Sequence, residues 1–341
     1  MSDGRTRRKG AGRRPFVEHH PDVIKAIEKI IDGQTYGDPS KMLHWVPQSM
    51  SLRKIEAILI DEYGIQVSYV KVSQLLTDMG YSKQVNQKML QAGEPSPDRD
   101  EQFGLINDLA KQYLEAGDPM ISVDTKKKEN IGNFKNNGAE YRKTKDPRKV
   151  WDHDFPVAEL GKVNPYGVYV LNSNTGFINL GTDHDTSEFA VASIAAWWDS
   201  CGKNSFPEAR RIYITCDGSG SNSSRSRAWK CGLQKLADYT GLEIMVSHYP
   251  PGASKWNKIE HRMFCYISKN WQGKPLIDIE TVVSLISNTT TKNGLKIDCL
   301  VDNNVYAIGR KVSDEELAQV NHIPYERLGR WNYTIMPNCK E

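Results

Sequence analysis

The sequence predicts an α/β fold: a mixed five-stranded sheet with flanking helices, preceded by an all-α region. Two observations predict it. From Met120 onward, apolar runs of strand length (residues 120–123, 166–171, 177–180, 212–214 and 242–248) are interleaved with longer stretches of helical period. Before that point the periodic stretches read as helices, separated by Gly, Pro and Ser. A chain of 341 residues, 38% hydrophobic and 26% charged, has an ordinary globular composition and length for two or three domains.

The net charge is only +3, yet Arg5, Arg7, Arg8, Lys9, Arg13 and Arg14 stand against a single acid, Asp3, in the first fourteen residues. Residues 1–19 are therefore expected to be a basic arm, disordered by itself, with Arg7, Arg8, Arg13 and Arg14 suited to phosphate contact. Residues 20–90 are expected to form a helical domain. His20-Pro21-Asp22 leads into Val23, Ile24, Ile27, Ile30 and Ile31, a helix ending before Gly33, followed by a loop through Gly37, Asp38 and Pro39. Ser51 caps a helix bearing Leu52, Ile55, Ile58, Leu59 and Tyr63; Gly64 breaks it, and Ser68 opens a second with Val72, Leu75, Leu76 and Met79. Two helices joined by a short Gly-containing turn are the helix-turn-helix pattern, whose second helix enters the major groove. Tyr69, Lys71, Ser73 and Gln74, outside its apolar stripe, become the candidates for contact with bases and phosphates.

Residues 91–118 read as a linker, EPSPD, and a packing helix from Phe103 to Tyr113 that stops at Gly117. The core is expected over 119–274, with a polar insertion at about 126–162 that includes Trp151, His153 and Asp154. Residues 166–171 and 177–180, with Asn172 to Gly176 between them, read as a β-hairpin. Asp185 with Glu188 three positions later is an N-cap signature for a helix with Ala190, Ile194, Trp197 and Trp198 on its apolar face, and Asp183 reads as a turn residue. The strand ending at Asp217, a helix with Trp229, Leu233 and Leu236, the strand 242–248 and a last helix complete the core. Residues 275–341, with Ser313 and Glu316 as a capping box, are expected to be a C-terminal appendage.

The chemistry is concentrated in three acids. Asp124 and Asp217 each end an apolar run, which places a carboxylate at the carboxyl edge of the sheet, where open α/β sheets put their ligand sites. The third lies on the helix entered through Pro250, Pro251 and Gly252, with Ser254 as its N-cap. At 100° per residue Glu260 falls on the stripe of Trp256, Asn257, Met263, Phe264, Ile267 and Trp271, while Lys255, Lys258, Arg262 and Lys269 take the other side. A carboxylate aimed at a core needs a cation, a metal or strong donors to offset several kcal/mol. Three such groups suit hard cations, since Mg²⁺ is commonly held by one or two carboxylates completed by water and phosphate. Two ions about 3.5 to 4 Å apart would activate a water or 3′-hydroxyl and steady the leaving oxygen of an in-line displacement at phosphorus. Asn257 and His261 flank Glu260 as supporting residues, and Lys126, Lys127, Lys128, Asn222 and Arg225 are candidates for DNA contact. GSGSNSSRSR lacks the Lys-Ser/Thr ending of a nucleotide-binding loop, which disfavours nucleotide hydrolysis.

ISVDTKKKENIGNFKN, GTDHDTSEFAV, ITCDGSGSN and PPGASKWNKIEHRMF, in this order and spacing, closely resemble the Rhodopirellula-type DDE transposases of bacterial insertion sequences, in the retroviral-integrase-like superfamily. The resemblance runs from about Gly10 to Pro337. It implies a ribonuclease-H-like core, Mg²⁺ dependence with Mn²⁺ as a substitute, and Asp124, Asp217 and Glu260 as the catalytic, metal-holding triad. It also implies transposon-end and target DNA as partners and a homo-oligomer assembled on DNA. A ribonuclease-H-like arrangement sets the first and fourth strands side by side, bringing Asp124 next to Asp217. Two other readings stay open: a domesticated, non-catalytic DNA-binding regulator, and a structure-selective nuclease on the same fold.

The six cysteines show no C-x-x-C pair and no Cys/His cluster, which argues against a zinc ribbon or a disulfide framework. No signal-peptide h-region and no apolar run of about 18 residues occurs, so a bacterial cytoplasmic, nucleoid-associated protein without a membrane partner is expected.

Overall fold

The computed structural model describes residues 15–33, 50–83, 96–253 and 256–338. Residues 1–14 of the expected basic arm, the loop at Gly37 to Pro39, most of the linker and the cap position Ser254 lie outside the described residues, while residues 16–19, expected to be part of that arm, form a short helix. The chain divides into two compact units, Met1–Met89 and Leu90–Glu341.

The first unit is helical: α1 (Phe16–His19), α2 (Val23–Gly33), α3 (Leu52–Asp61) and α4 (Tyr69–Asp78). The predicted caps are in place, with Ser51 Oγ accepting from Lys54 N at 3.2 Å and Ser68 Oγ from Lys71 N at 3.3 Å. Between α3 and α4 the chain reverses through Gly64 at φ +65°, a conformation open to glycine at no steric cost. Val23, Ile27, Ile31, Ile55, Leu59, Val72 and Leu75 close one buried cluster. On α4, Tyr69, Ser73 and Gln74 stay exposed, and Lys71 Nζ donates to Gln74 Oε1 at 2.9 Å.

The second unit opens with α5 (Arg99–Ala116), stopped by Gly117 in the left-handed region. Then come β1 (Met120–Thr125), β2 (Glu129–Asn130), β3 (Lys162–Val170), β4 (Thr175–Gly181), α6 (Ser187–Trp197), α7 (Lys203–Ser205), β5 (Arg211–Cys216), α8 (Arg227–Thr240) and β6 (Glu243–His248). An i→i+5 turn, Glu260–Phe264, leads into α9 (Cys265–Asn270), and α10 (Ile279–Ser287), β7 (Lys296–Asp302), α11 (Asp314–Ala318), β8 (His322–Pro324) and β9 (Asn332–Ile335) complete the chain. The main sheet has the order β7-β4-β3-β1-β5-β6-β9-β8, and β2 pairs with β3. Its central five strands, β4-β3-β1-β5-β6, carry the expected ribonuclease-H-like arrangement, with β1 antiparallel to β3 and parallel to β5.

Strand alternation sorts the side chains into layers. Ile121, Val123, Ile212, Ile214, Ile244 and Val246 face α6 and α8, where Trp197 and Trp229 are almost wholly buried. On the opposite side Met120, Tyr213 and Met245 meet α5, while Ile178, Leu180 and Ile297 pack on Met263, Phe264, Ile267, Val282 and Ile286.

Two expectations are corrected. The sheet is wider than five strands, and the segment from 275 onward is part of it: β7 lies parallel to β4, and β9 antiparallel to β6. The physical reason is the edge problem. A five-stranded sheet would leave the backbone N–H and C=O groups of β4 and β6 unpaired, and the C-terminal strands satisfy both rows. The insertion of 126–162 contains only the two-residue β2, and it is ordered by Trp151 packing edge-on against Phe134 at 4.9 Å. Among the described residues no helix is long and apolar enough to cross a membrane.

Tyr333 and Ile335 of β9 are almost wholly buried in the α6/α8 core. A chain ending at Val320 is therefore expected to lose its cooperative thermal unfolding transition. Calorimetry showing full-length melting behaviour in that truncated chain would contradict the assignment of β9 to the core.

Candidate active site

The site begins with strand register. Val123 of β1 pairs with Cys216 of β5, so Asp124 and Asp217 follow paired positions on adjacent parallel strands. Asp124 is buried, and its two oxygens are held separately: Thr125 N donates to Oδ1 at 2.8 Å and Asn257 Nδ2 to Oδ2 at 3.3 Å. Asp217 is folded into its own turn, accepting from Ser219 Oγ at 2.9 Å.

Glu260 is carried by a helix packed on the face of the sheet to which Ser122 and Asp124 point. The helix bearing it is locked to β1 through Ser122, whose Oγ donates to Asn257 Oδ1 and accepts from Ile259 N at 3.1 Å. Asn257, fully buried, also donates to Val123 O, so one side chain ties the Glu260 helix to the strand carrying Asp124. Close approach is permitted by Gly167, the β3 residue paired with Asp124. A Cβ there would meet Phe264 at 2.6 Å and both Ile259 and Met263 at 2.8 Å.

The expected regular period of this helix is interrupted where Glu260 begins the i→i+5 turn, a feature that recurs at functional sites. Trp256 precedes the helix and is 51% exposed rather than on its stripe, while Ile259 is buried and Glu260 is half-buried.

The three acids share one electrostatic field. Burial, followed by the charges of Asp217 and Glu260, pushes the Asp124 carboxyl up to about 8, against the lowering effect of Thr125 N–H and Asn257. Asp217 is raised by burial, which outweighs its Ser219 bonds, and Asp185 adds repulsion. Glu260 is raised by burial too, with His261 and Lys126 pulling the other way. Such a set is short of positive charge, and its oxygen donors are those a hard divalent cation takes. Among the described residues no three His, Cys, Asp or Glu side chains stand together so as to hold a metal ion by themselves. A hard divalent cation such as Mg²⁺ is commonly held by one or two carboxylates, with water and phosphate oxygens completing its shell.

Several predicted residues sit elsewhere than expected. Lys126 is buried, paired with Glu129 at 3.0 Å and lying 4.1 Å from the Trp271 ring centre. It is a packed cation and not a phosphate contact, because the strand alternation that buries Ser122 and Asp124 turns it inward as well. Asn222 is 1% exposed and accepts from Tyr166 O–H at 2.7 Å, so it supports the loop after Asp217 and does not face DNA. Lys127, Lys128, Arg225 and His261 are exposed. Arg7, Arg8, Arg13 and Arg14 lie outside the described residues.

Asp185 is not the cap of α6: Thr186 Oγ1 accepts from Phe189 N at 3.2 Å. Asp185 instead accepts from Thr125 Oγ1 at 3.1 Å, beside Asp124. The run Asp-Thr-Ser offers three competent caps, and only the backbone path decides among them. Asp183 is held by Tyr306 N at 2.6 Å and is a turn residue, as expected.

Two supports were not predicted from sequence. One is Ser122, an ordinary strand serine whose partner lies 135 residues away. The other is His248, fully buried, with Nδ1 3.1 Å from Asp217 O and Nε2 3.0 Å from Tyr333 Oη. Tyr333 Oη accepts from Trp229 Nε1 at 2.9 Å, so it donates to His248 Nε2, and His248 Nδ1–H donates to Asp217 O. Burial lowers His248 to about 4, keeping it in this neutral tautomer.

A family model described as the Rhodopirellula transposase DDE domain matches residues 26–337. No curated protein matches the sequence. Similar solved structures include the Mos1 transposase paired-end complex with left transposon end, 14% identical over 82% of this chain and 72% of that chain, with a TM-score of 0.41. They also include the Mos1 strand transfer complex (13%, 82% and 71%, TM-score 0.39) and the mariner Mos1 paired end complex with Mg (13%, 83% and 73%, TM-score 0.39).

Two outcomes follow from this geometry. The folded state holds the Asp124 proton more tightly than the unfolded chain does, so its contribution to stability is complete below about pH 4 and is lost as pH rises to about 8. In EDTA, the melting temperature of wild type should fall across that window by at least about 3 °C more than that of Asp124→Asn, the shift of roughly 1 kcal/mol in a domain of this size. Equal falls would refute the shared field. Asn257→Ala strips partners from Ser122 and Asp124 and is expected to cost about 1–3 kcal/mol in denaturant unfolding; a neutral effect would show that the tie is dispensable.

Proposed function

The chain belongs to the Rhodopirellula transposase DDE family, and from that premise we propose that it binds the terminal repeats of its element, cuts at their ends and joins the 3′-hydroxyls to target DNA. The observation that carries this reading is the convergence of Asp124, Asp217 and Glu260 from two adjacent strands and an inward-packed helix, with the two aspartates each held by donors of their own. Divalent ions at these three carboxylates, Mg²⁺ or Mn²⁺ and two in number, would acidify a water or 3′-hydroxyl and neutralise charge on the phosphoryl oxygens.

The protein's own part is positioning. Thr125 N–H and Asn257 fix the two Asp124 oxygens, Ser219 fixes Asp217, and the Ser122 tie sets the depth of Glu260. None of these donors has to reorganise as negative charge develops. Lys127, Lys128 and Arg225, exposed close in sequence to the two aspartates, take phosphates of the bound strand. Tyr69, Lys71, Ser73 and Gln74 on α4 read the terminal repeat, with Arg7, Arg8, Arg13 and Arg14 adding backbone contacts. Joining two ends to one target calls for at least a dimer on DNA.

The test is strand transfer in vitro with a labelled oligonucleotide taken from the DNA flanking the gene, in Mg²⁺ or Mn²⁺. Glu260→Gln is expected to reduce joined product by at least about 100-fold while leaving DNA binding intact. Cleavage without joining by wild type would make the protein a nuclease. Binding of the end DNA with no chemistry from the folded wild type would make it a regulator.

A further inference from the structure

The insertion that follows the Asp124 strand holds the densest positive charge among the described residues. From Lys135 to Lys149 there are six lysines and arginines against Glu140 and Asp146, a local excess of +4 in a chain whose total is +3. Both acids are engaged internally: Arg148 Nε donates to Glu140 at 2.9 Å and Arg142 Nη2 to Asp146 at 3.1 Å. Lys135, Lys143 and Lys145 are exposed and make no ion pair among the described residues, and Tyr141 between them is fully exposed.

This charge is tied to the helix that bears Glu260. Asn136 Nδ2 donates to Trp271 O at 3.0 Å, Gly273 N to Asn137 O at 2.9 Å, and Gly132 N to Leu276 O at 2.8 Å, so the insertion is bonded to the end of the helix that bears Glu260. Three depressions run on from one another along it. The first, about 420 Å³, is bordered by Glu260, Lys127 and Asn136. The second, about 220 Å³, shares Lys127 and Asn136 and adds Lys135. The third, about 450 Å³, shares Lys135 and Asn136 and is walled by Lys143, Lys145 and Arg148.

We propose that this trough holds the backbone of the DNA that runs away from the scissile phosphate, through sequence-independent contacts of Lys135, Lys143 and Lys145 with its phosphates. The inference rests on the transposase reading, which supplies the DNA, and adds the surface that grips it. A trough that starts at a catalytic carboxylate, is walled by unpaired ammonium groups and is already ordered pays little entropy on binding a polyanion. Point charges on flexible stems suit a backbone whose sequence is not being read.

The test is fluorescence anisotropy over a series of salt concentrations, comparing wild type with the triple variant Lys135→Ala, Lys143→Ala, Lys145→Ala. Two labelled duplexes are used, one extending on the transposon side of the cleavage point and one on the flanking side, with strand joining by wild type followed in parallel. The variant, melting like wild type, is expected to bind at least one duplex about 10-fold or more weakly, with the slope of log K against log salt shallower by about 2 to 3. The duplex that loses affinity identifies the DNA arm in the trough. A variant with unchanged affinity and slope on both duplexes, while wild type joins ends, overturns the proposal alone. A wild type that binds neither duplex and joins nothing overturns the transposase reading together with it.

Discussion

The structure depends on holding like charges together. Asp124, Asp217 and Glu260 stand in a partly buried space, where burial first and mutual repulsion second make each hold its proton more tightly than a free carboxyl does. Nothing intrinsic to β1, β5 or the Glu260 helix favours that convergence. What enforces it is Asn257, whose amide serves Asp124 and Val123 on one side and whose carbonyl is held by Ser122 on the other. The neutral amide spans helix and strand without adding charge, and Gly167 leaves the space in which the helix can sit on the sheet. Proton affinity raised in this way is the counterpart of cation affinity: an arrangement unfavourable by itself is relieved by bound positive charge.

A second device supports Asp217 from below. Trp229, Tyr333, His248 and the Asp217 carbonyl form a buried hydrogen-bonded relay in which every donor has one acceptor. Tyr333 belongs to β9, so the C-terminal strands close the sheet edge and also fix the backbone at Asp217. The low proton affinity of His248 keeps the relay neutral, so it adds no charge to a region already governed by electrostatics. Gln102 joins α5 to the same frame by donating to His248 O at 2.8 Å and pairing with Asn332.

Charge is partitioned by location. Lys126, two residues after Asp124 in sequence, is engaged by Glu129 and Trp271, whereas lysines without an ion pair among the described residues stand along the insertion. Sequence adjacency to the site and access to a substrate phosphate are thus separate properties. A nearly neutral chain can present a basic trough because its acids are consumed by arginines and by the centre itself.

The sequence by itself determined the helical first unit, the succession of strands and helices along the core and the placing of three acids at strand ends and on a helix stripe, while the side-by-side order of the strands came from the family resemblance. Apolar period, cap residues and strand ends are local signals, and the physics that turns them into elements acts within a few residues. The caps at Ser51 and Ser68 fell where they were read for that reason. Only the tertiary structure decided how the sheet ends, because which segment satisfies the exposed edges of β4 and β6 depends on a chain returning from about 120 and about 90 residues away. It also decided which polar residues serve the site. Ser122, His248 and Asp185 were indistinguishable in sequence from a strand serine, a strand histidine and a helix cap, and Asn222 and Lys126 looked like surface contacts until burial placed them inside. A hydrogen bond or an ion pair between residues far apart in the chain leaves no periodicity behind, so these roles exist only once the fold has brought the partners together.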